Sequence, residues 1–234
     1  EVQAFRNKGV NASGPIYLED QHVVKQVNSF TYNTLGEVVT SHSVDAGDSK
    51  FYYDHLGRLI VSQNAQQAVA DANNLIKYSY TGFDEIGRII ETGETKVIAQ
   101  ASMTQAIAKG EQSAPYNYSS WSKLGVKSEV TKVFYDNALQ GLSWYEQAGA
   151  EVVNYAKNKG KEYNRNRITG VLFYEDQPGE RAPNYTQAYY YGYNVHGLAE
   201  SFVQEHKMLA GSAQQFKTIN YDYDLFTGLV NQVD

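Results

Sequence analysis

The residues that could carry chemistry in this chain are histidines and carboxylates, and their spacing matches no catalytic or ligand-binding pattern. The sequence contains no nucleophile elbow, no phosphate-binding loop and no dinucleotide-binding glycine pattern. It also contains no cysteine, which excludes a disulfide framework, a Cys-type zinc site and a thiol nucleophile. The histidines lack metal-ligand spacing, and we expect the two that fall in repeated turns to pack there: His22, His42, His55, His196 and His206. We therefore predict no catalytic, metal or cofactor site and no enzymatic activity.

Two charged segments leave alternatives open. An acidic loop around Pro178 and Gly179 either binds Ca²⁺ or is a solvated turn, and its carboxylates follow no known calcium-loop spacing: Glu175, Asp176 and Glu180. A basic segment either discourages edge-to-edge aggregation or faces an acidic partner: Lys157, Lys159, Lys161, Arg165 and Arg167.

The most regularly placed carboxylates and amides belong to a repeated motif. It consists of an aromatic residue, Asp or Asn, two variable residues, Gly and usually a charged residue, and its copies start at Tyr32, Tyr53, Phe83, Tyr135, Tyr193 and Tyr223. Asp or Asn at the first turn position can accept a backbone N–H two residues on, and Gly at the fourth position adopts the positive φ that closes the turn. The turn residues are Asn33, Gly36, Asp54, Gly57, Asp84, Gly87, Asp136, Asn194, Gly197, Asp224 and Gly228. We interpret these acids as turn formers rather than as general acids or bases.

Two copies depart from the spacing. Gly141 follows Asp136 two places late and Gly228 follows Asp224 one place late, so we predict longer or bulged turns there. Around the turns, aromatic and aliphatic residues alternate with period two, which is typical of strands. Because a lone hairpin is marginal in water, successive hairpins must pair edge to edge.

Arg58 and Arg88 directly follow the turn glycines. We predict that each guanidinium forms a bidentate pair with a turn carboxylate of its own or the adjoining hairpin and so fixes strand register.

The runs that carry the motif at 51–64, 78–93 and 221–234 resemble the YD repeats of Rhs proteins, most closely the very large Rhs proteins of Bacteroidota. The resemblance covers nearly the whole chain and is weakest in residues 1–25 and 97–128. In that family, and in the related Tc-toxin subunits and teneurins, YD repeats form a β-sheet that spirals into a hollow shell, often around a C-terminal toxin. The resemblance implies an all-β fold: an array of antiparallel β-hairpins in a curved or spiralling sheet, part of a hollow shell. To this fold the residue pattern adds one short helical insertion.

Composition agrees with such a sheet. The 234 residues include 20 Tyr but 9 Phe and 2 Trp, and tyrosine suits a sheet whose faces approach water because its ring packs while its hydroxyl stays hydrated. A net charge of −6 argues against a nucleic-acid partner. No leader or apolar run of transmembrane length is visible, and we expect the chain to be part of a longer protein.

We divide the chain into leading strands (1–28), hairpins (29–96), an irregular or short-helical insertion (97–128) and further hairpins (129–234). Residues 97–110 are Ala-rich with a Gly at the end, which indicates either a docked short helix or, as we prefer, a loop with helical propensity. Residues 65–74 show a weaker form of the same pattern.

Three functional classes follow. The favoured one is a structural segment of a secreted or cell-surface Rhs shell, whose partners are other repeats of the parent chain, an encapsulated toxin polypeptide and secretion-system components. The alternative is a surface adhesin or glycan-binding module in which exposed tyrosines with Trp121 or Trp144 stack on sugars. A membrane-barrel wall fits poorly because no segment shows the roughly 10-residue aliphatic alternation of a lipid-facing strand.

Overall fold

The computed structural model describes residues 28–110, 125–136, 163–175, 185–224 and 226–234. Within these ranges the chain forms twelve strands, one short α-helix and two 3₁₀ turns. The strands are β1 (Ser29–Tyr32), β2 (Val38–Ser43), β3 (Gly47–Tyr53), β4 (Leu59–Gln63), β5 (Leu75–Phe83), β6 (Ile89–Ile98), β7 (Val126–Tyr135), β8 (Ile168–Tyr174), β9 (Gln187–Tyr193), β10 (Ala199–His206), β11 (Phe216–Tyr223) and β12 (Val230–Val233). The helix α1 spans Gln105–Gly110, and the 3₁₀ turns span Ala99–Ala101 and Lys207–Leu209.

All twelve strands belong to one open sheet, and each pairs antiparallel with its neighbours in sequence order. Such a topology contains only hairpin connections, so every strand finds its partner locally in the chain. The prediction of an all-β array of antiparallel hairpins is confirmed.

The repeated motif closes alternate hairpins, β1–β2 through β11–β12. In five copies the side-chain oxygen of Asp or Asn accepts the backbone N–H two residues on, as predicted, at 2.8–3.1 Å. The turn glycines all have φ between +69° and +88°. At each motif the strand register also shifts beside the aromatic residue, a bulge that strengthens the local twist.

The two faces of the sheet differ in burial. One face carries two hydrophobic clusters, the first on β4, β5 and β6 around Tyr78 and Tyr80 and the second on β7 to β10 around Leu172 and Tyr190. The opposite face carries partly exposed aromatics, for example Tyr189 stacked on Phe202 with 5.4 Å between ring centres. Tyrosine therefore serves both in a packed core and on a wet surface.

The helix α1 packs on the first cluster rather than crossing it as a loop. Ala108 is fully buried, Met103 lies in the same cluster, and the backbone N–H of Met103 donates to the Tyr78 hydroxyl. The Gln105 side-chain amide bonds both backbone groups of Tyr53, accepting from its N–H at 3.3 Å and donating to its carbonyl at 2.6 Å. The predicted short helical insertion is therefore confirmed at 105–110. Our preference for a loop over a docked helix is wrong there, because buried apolar contacts stabilise a helix that is short in isolation.

The segment 65–74 is a series of turns and not a helix, in agreement with the loop interpretation. The regular sheet also extends into the predicted insertion at both ends, since β6 runs to Ile98 and β7 starts at Val126. Residues 111–124 lie outside the described ranges.

Candidate functional site

All motif corners lie at one end of the sheet, because the motif joins each odd-numbered strand to the following even-numbered one. We call this row the corner column, defined by residues 33–37, 54–58, 84–88, 194–198 and 224–228 together with Asp136 and residues 164–167. The corner column holds every sequence-predicted site residue, so those residues form one continuous feature. Its contacts run from each corner to the next.

Within a corner, the residue after Gly holds both oxygens of the turn carboxylate. Arg58 donates its backbone N–H to Asp54 Oδ1 at 2.9 Å and its Nε–H to Asp54 Oδ2 at 2.7 Å. Arg88 does the same to Asp84, at 2.8 and 2.6 Å. The predicted ion pairs therefore exist, but they combine backbone and side chain rather than the two arms of a guanidinium fork.

The first corner contains the equivalent pair, with Asn33 in place of Asp and Glu37 in place of Arg. Asn33 stands where the others have Asp, and its Nδ2 donates to the Glu37 carboxylate at 2.5 Å while its Oδ1 accepts the Glu37 backbone N–H. The position after Gly thus reaches back to the turn residue whether it is Arg or Glu.

Between corners, each arginine lies over the motif aromatic of the following hairpin. The guanidinium carbon of Arg58 is 4.6 Å from the centre of the Phe83 ring, and that of Arg88 is 4.3 Å from the centre of the Tyr135 ring. Arg88 Nη1 also donates to Asp136 Oδ2 of the next corner at 3.1 Å. One arginine therefore joins two adjacent carboxylates and an aromatic ring.

The motif tyrosines make a second set of contacts between corners, which we call the tyrosine ladder. In four of the five motif tyrosines, the hydroxyl donates to the backbone carbonyl of the first residue of the strand that follows the previous corner, at 2.7–3.0 Å. The pairs are Tyr53–Val38, Tyr135–Ile89, Tyr193–Ile168 and Tyr223–Ala199. The ladder is interrupted at Phe83, which has no hydroxyl to offer.

Asp136 forms its corner with residues that come much later in the chain. Its backbone N–H donates to the carbonyl of Arg167, and its Oδ1 accepts the backbone N–H of Asn166 at 2.6 Å. Arg167 then takes the place of Arg58 and Arg88, with its guanidinium carbon 5.5 Å from the centre of the Tyr193 ring. We predicted a longer or bulged turn ending near Gly141, but residues 164–167 close this corner instead, and Gly141 lies outside the described residues.

The longer turn predicted at Asp224 is confirmed. The Gly228 N–H donates to the Asp224 carbonyl one residue later than in the other corners. Hydrogen bonds from the backbone and hydroxyl of Thr227 and from the Phe226 backbone hold the pKa of Asp224 below its ordinary value. For Asp84, partial burial acts to raise the pKa, but the side-chain and backbone hydrogen bonds of Arg88 prevail and lower it.

Away from the corners, a buried carboxylate lies on the packed face at Glu91. It accepts the Tyr80 hydroxyl at 2.6 Å and the Lys127 ammonium at 2.8 Å, and the Lys132 ammonium is 3.8 Å away. Burial acts to raise the pKa of Glu91, but the charge and hydrogen bond of Lys127 keep it below the ordinary value. Glu91 is thus an ionised, fully engaged group that ties β5 to β6 and β7.

A second buried carboxylate, Glu205, lies on the same face. It accepts the hydroxyls of Tyr185 at 2.8 Å and Tyr190 at 3.1 Å, and the Lys207 ammonium is 3.8 Å away. Burial is the main cause that raises the pKa values of both tyrosines, so both stay neutral donors. Sequence reasoning missed Glu91 and Glu205; the signal was an acid at an inward-facing strand position where alternation calls for an apolar residue.

These arrangements give Glu91 and Glu205 hydrogen-bond donors and nearby ammonium groups, which stabilises the sheet. Over the part of the chain that the structure describes, no three His, Asp or Glu side chains gather as a metal site would require. The acidic loop lies outside the described residues apart from Glu175, as does the basic segment apart from Arg165 and Arg167. His55 and His196 lie in corner turns, where the His196 backbone N–H contributes the Asx hydrogen bond.

A polar cavity of about 400 Å³ lies under the loop 64–74. Gln67 organises its wall by donating to Ser79 and to Glu94, and Lys77 pairs with Glu94 at 2.9 Å. Its rim includes Gln66, Val69, Asp71 and Lys96.

None of the described helices has the length and apolar character needed to cross a membrane. No protein-family model matches the chain, and no curated protein matches it either. Among solved structures, the chain is similar to one titled "Crystal Structure of TcdB2-TccC3-TEV", with 13% identity and a TM-score of 0.27. That match covers 85% of this chain and 10% of the other, so the chain spans about a tenth of the matched chain's length.

Proposed function

We propose that this chain is a structural wall: a segment of YD-type β-sheet that encloses or scaffolds a polypeptide and has no catalytic centre of its own. The observation that carries the proposal is the corner column, in which every hairpin is joined to the next by an arginine, a tyrosine hydroxyl or both. Such redundant, repeated contacts fix strand register along the sheet and provide no cleft for a substrate.

The distribution of burial supports the same function. The central strands β5 to β10 are packed on one face, whereas β1 and β12, the two edge strands of the described sheet, are exposed over their full length. A sheet of this kind is stabilised by continuing on both sides, as a wall built from many repeats would. We further propose that the wall is secreted or displayed at a cell surface, where its enclosed polypeptide is a toxin.

The test uses the natural polypeptide that contains these repeats. Limited trypsin digestion should leave an enclosed segment intact, and the double variant Arg58→Ala, Arg88→Ala should expose it because two corners lose their contacts with the next hairpin. The matched control is Lys50→Ala, Lys217→Ala, which removes two exposed strand cations outside the corner column. Equal cleavage of every segment in the wild-type protein would overturn the proposal.

A second candidate, a glycan-binding surface module, is favoured by the polar cavity. Its rim offers an amide, a carboxylate and an ammonium group from Gln66, Asp71 and Lys96, a mixed donor and acceptor set that suits sugar hydroxyls. Trp121 and Trp144 lie outside the described residues. Binding of neutral oligosaccharides by the wild-type chain, lost in Lys96→Ala and retained in Lys217→Ala, would support this candidate over the wall.

A further inference from the structure

Within the part of the chain that the structure describes, the outer edges of β1 and β12 are unpaired, and both strands carry exposed apolar side chains. On β1 the side chains of Phe30 and Tyr32 are exposed, and on β12 those of Val230 and Val233 are exposed. An uncovered strand edge with apolar side chains is a template for pairing with another strand. The question is which strand each edge fits.

The hydroxyl contacts of the tyrosine ladder indicate which strand each edge fits. At each corner the acceptor carbonyl belongs to the residue that pairs with the motif aromatic, as Ala199 pairs with Tyr193 and Ile168 with Tyr135. Val230 pairs with Tyr223 in the same way and so holds the acceptor position at the last corner. At the other end, Tyr32 is a ladder donor whose hydroxyl has no partner in the described part of the chain.

The turn glycines also indicate that the β1 edge and the β12 edge fit each other. The residue after each turn glycine normally lies against the next turn glycine: a Cβ at Gly57 would stand 2.8 Å from Glu37 Oε1, and one at Gly228 would stand 3.8 Å from Leu198 Cδ1. A Cβ at Gly36 would meet nothing within 4 Å. At the opposite end, Leu229 is the exposed residue that follows the last turn glycine.

The directions of the two edge strands also allow them to pair antiparallel. Strands alternate in direction across the sheet, and because there are twelve, β12 runs opposite to β1. A second copy in the same orientation would therefore place its β1 antiparallel to β12, as at every junction inside the sheet.

From these observations we infer that the β12 edge and the β1 edge are the two halves of one interface, and that a second copy of this chain docks β1 against β12. In that junction the Tyr32 hydroxyl of one copy donates to the Val230 carbonyl of the other, and Leu229 covers Gly36. The contact is heterologous, so further copies add in a row rather than closing as a symmetric dimer. The inference shares the wall architecture of the proposed function but predicts a property of the isolated chain.

The test is sedimentation velocity over a concentration series, with one edge blocked at a time. Phe30→Lys blocks the β1 edge and Val233→Lys blocks the β12 edge, since charged side chains prevent edge pairing. We expect the wild-type chain to grow in mass with concentration, each variant alone to stay monomeric, and an equimolar mixture of the two variants to form a dimer. Val69→Lys, in the exposed loop 64–74, controls for added charge and should associate like the wild type.

A variant that keeps the edge tests the hydroxyl contact itself. Tyr32→Phe should weaken association by about 2- to 10-fold, the effect of one hydrogen bond. A wild-type chain that stays monomeric up to its solubility limit would overturn the inference, and so would a Val233→Lys variant that still dimerises through two β1 edges. Neither result contradicts the proposed wall function, which the protease-protection experiment tests separately.

Discussion

The hydroxyl of Tyr135 donates a hydrogen bond to the backbone carbonyl of Ile89, 46 residues earlier in the chain, at 3.0 Å. The same ring lies under the guanidinium of Arg88. Ile89 and Arg88 are consecutive residues of one corner, and Tyr135 is the motif aromatic of the next. A single pair of neighbouring residues thus fixes the position of the next hairpin by two different contacts.

The gap in the tyrosine ladder at position 83 can be filled. Phe83→Tyr should place a hydroxyl near the carbonyl of Leu59, which pairs with Tyr53 as the other acceptors pair with their motif aromatics. We expect the free energy of unfolding to rise by about 1 kcal/mol. The reverse change, Tyr193→Phe, should lower it by a similar amount, and urea titration measures both. A loss of stability in Phe83→Tyr would show that the ladder geometry does not extend to this corner.

Removing one arginine should loosen two corners and not the others. Arg88→Ala removes the contacts to Asp84, Asp136 and the Tyr135 ring, and we expect a loss of about 2 kcal/mol because these hydrogen bonds are charge-assisted and partly buried. Hydrogen exchange should accelerate in β5 to β8 but not in β11 and β12. We expect the same pattern, shifted to β3 to β6, for Arg58→Ala. The control Lys217→Ala should leave every exchange rate unchanged, and uniform acceleration in Arg88→Ala would argue against a local role.

Turn glycines should differ in their tolerance of alanine. Both Gly36 and Gly197 have positive φ, which costs an L-residue about 1 kcal/mol. A methyl group at Gly36 meets open space, whereas one at Gly197 would collide with the guanidinium of Arg167. Gly197→Ala should therefore cost clearly more than Gly36→Ala in thermal unfolding. Equal losses would mean that Arg167 moves aside without losing contacts that matter to stability.

The buried carboxylate Glu91 should make stability depend on acid pH. The pKa of Glu91 in the folded chain lies below the ordinary 4.5. Between these two pKa values, the unfolded chain therefore binds more protons than the folded one. The stabilisation is complete above about pH 4.5 and is lost as the pH falls through the folded-state value. Glu91→Gln should cost about 3 kcal/mol at pH 7, because the partly buried Lys127 loses its carboxylate partner. The gap between variant and wild type should narrow below pH 4, as measured by urea unfolding at each pH.

Alkaline pH should act through the tyrosines of the second cluster. Burial raises the pKa of Tyr174 to about 12 and raises the pKa values of Tyr185 and Tyr190 as well. Because the folded values lie above the ordinary 10, the stabilisation is complete below pH 10 and is lost as the pH rises through the folded-state values. Tyrosinate absorbance after a pH jump to 12 should show a fast phase from exposed tyrosines and a slow phase limited by unfolding. A single fast phase would contradict the burial of this cluster.

The sequence by itself determined the corners and therefore the fold class. Asp or Asn, Gly with positive φ and alternating aromatic residues act within a few residues of one another, so hairpins could be predicted without knowing what lies beside them. The late position of Gly228 in the sequence likewise predicted the lengthened turn at Asp224.

Only the tertiary structure decided what joins one hairpin to the next. The position of Arg88 over Tyr135, the reuse of Arg167 at the corner of Asp136 and the docking of α1 through Gln105 all link residues separated by 30 or more positions. Glu91 and Glu205 looked like ordinary strand acids because a sequence does not reveal which lysines and hydroxyls will surround a carboxylate. Local turn chemistry is encoded residue by residue, whereas cross-hairpin contacts depend on strand order, twist and burial, which exist only once the sheet has assembled.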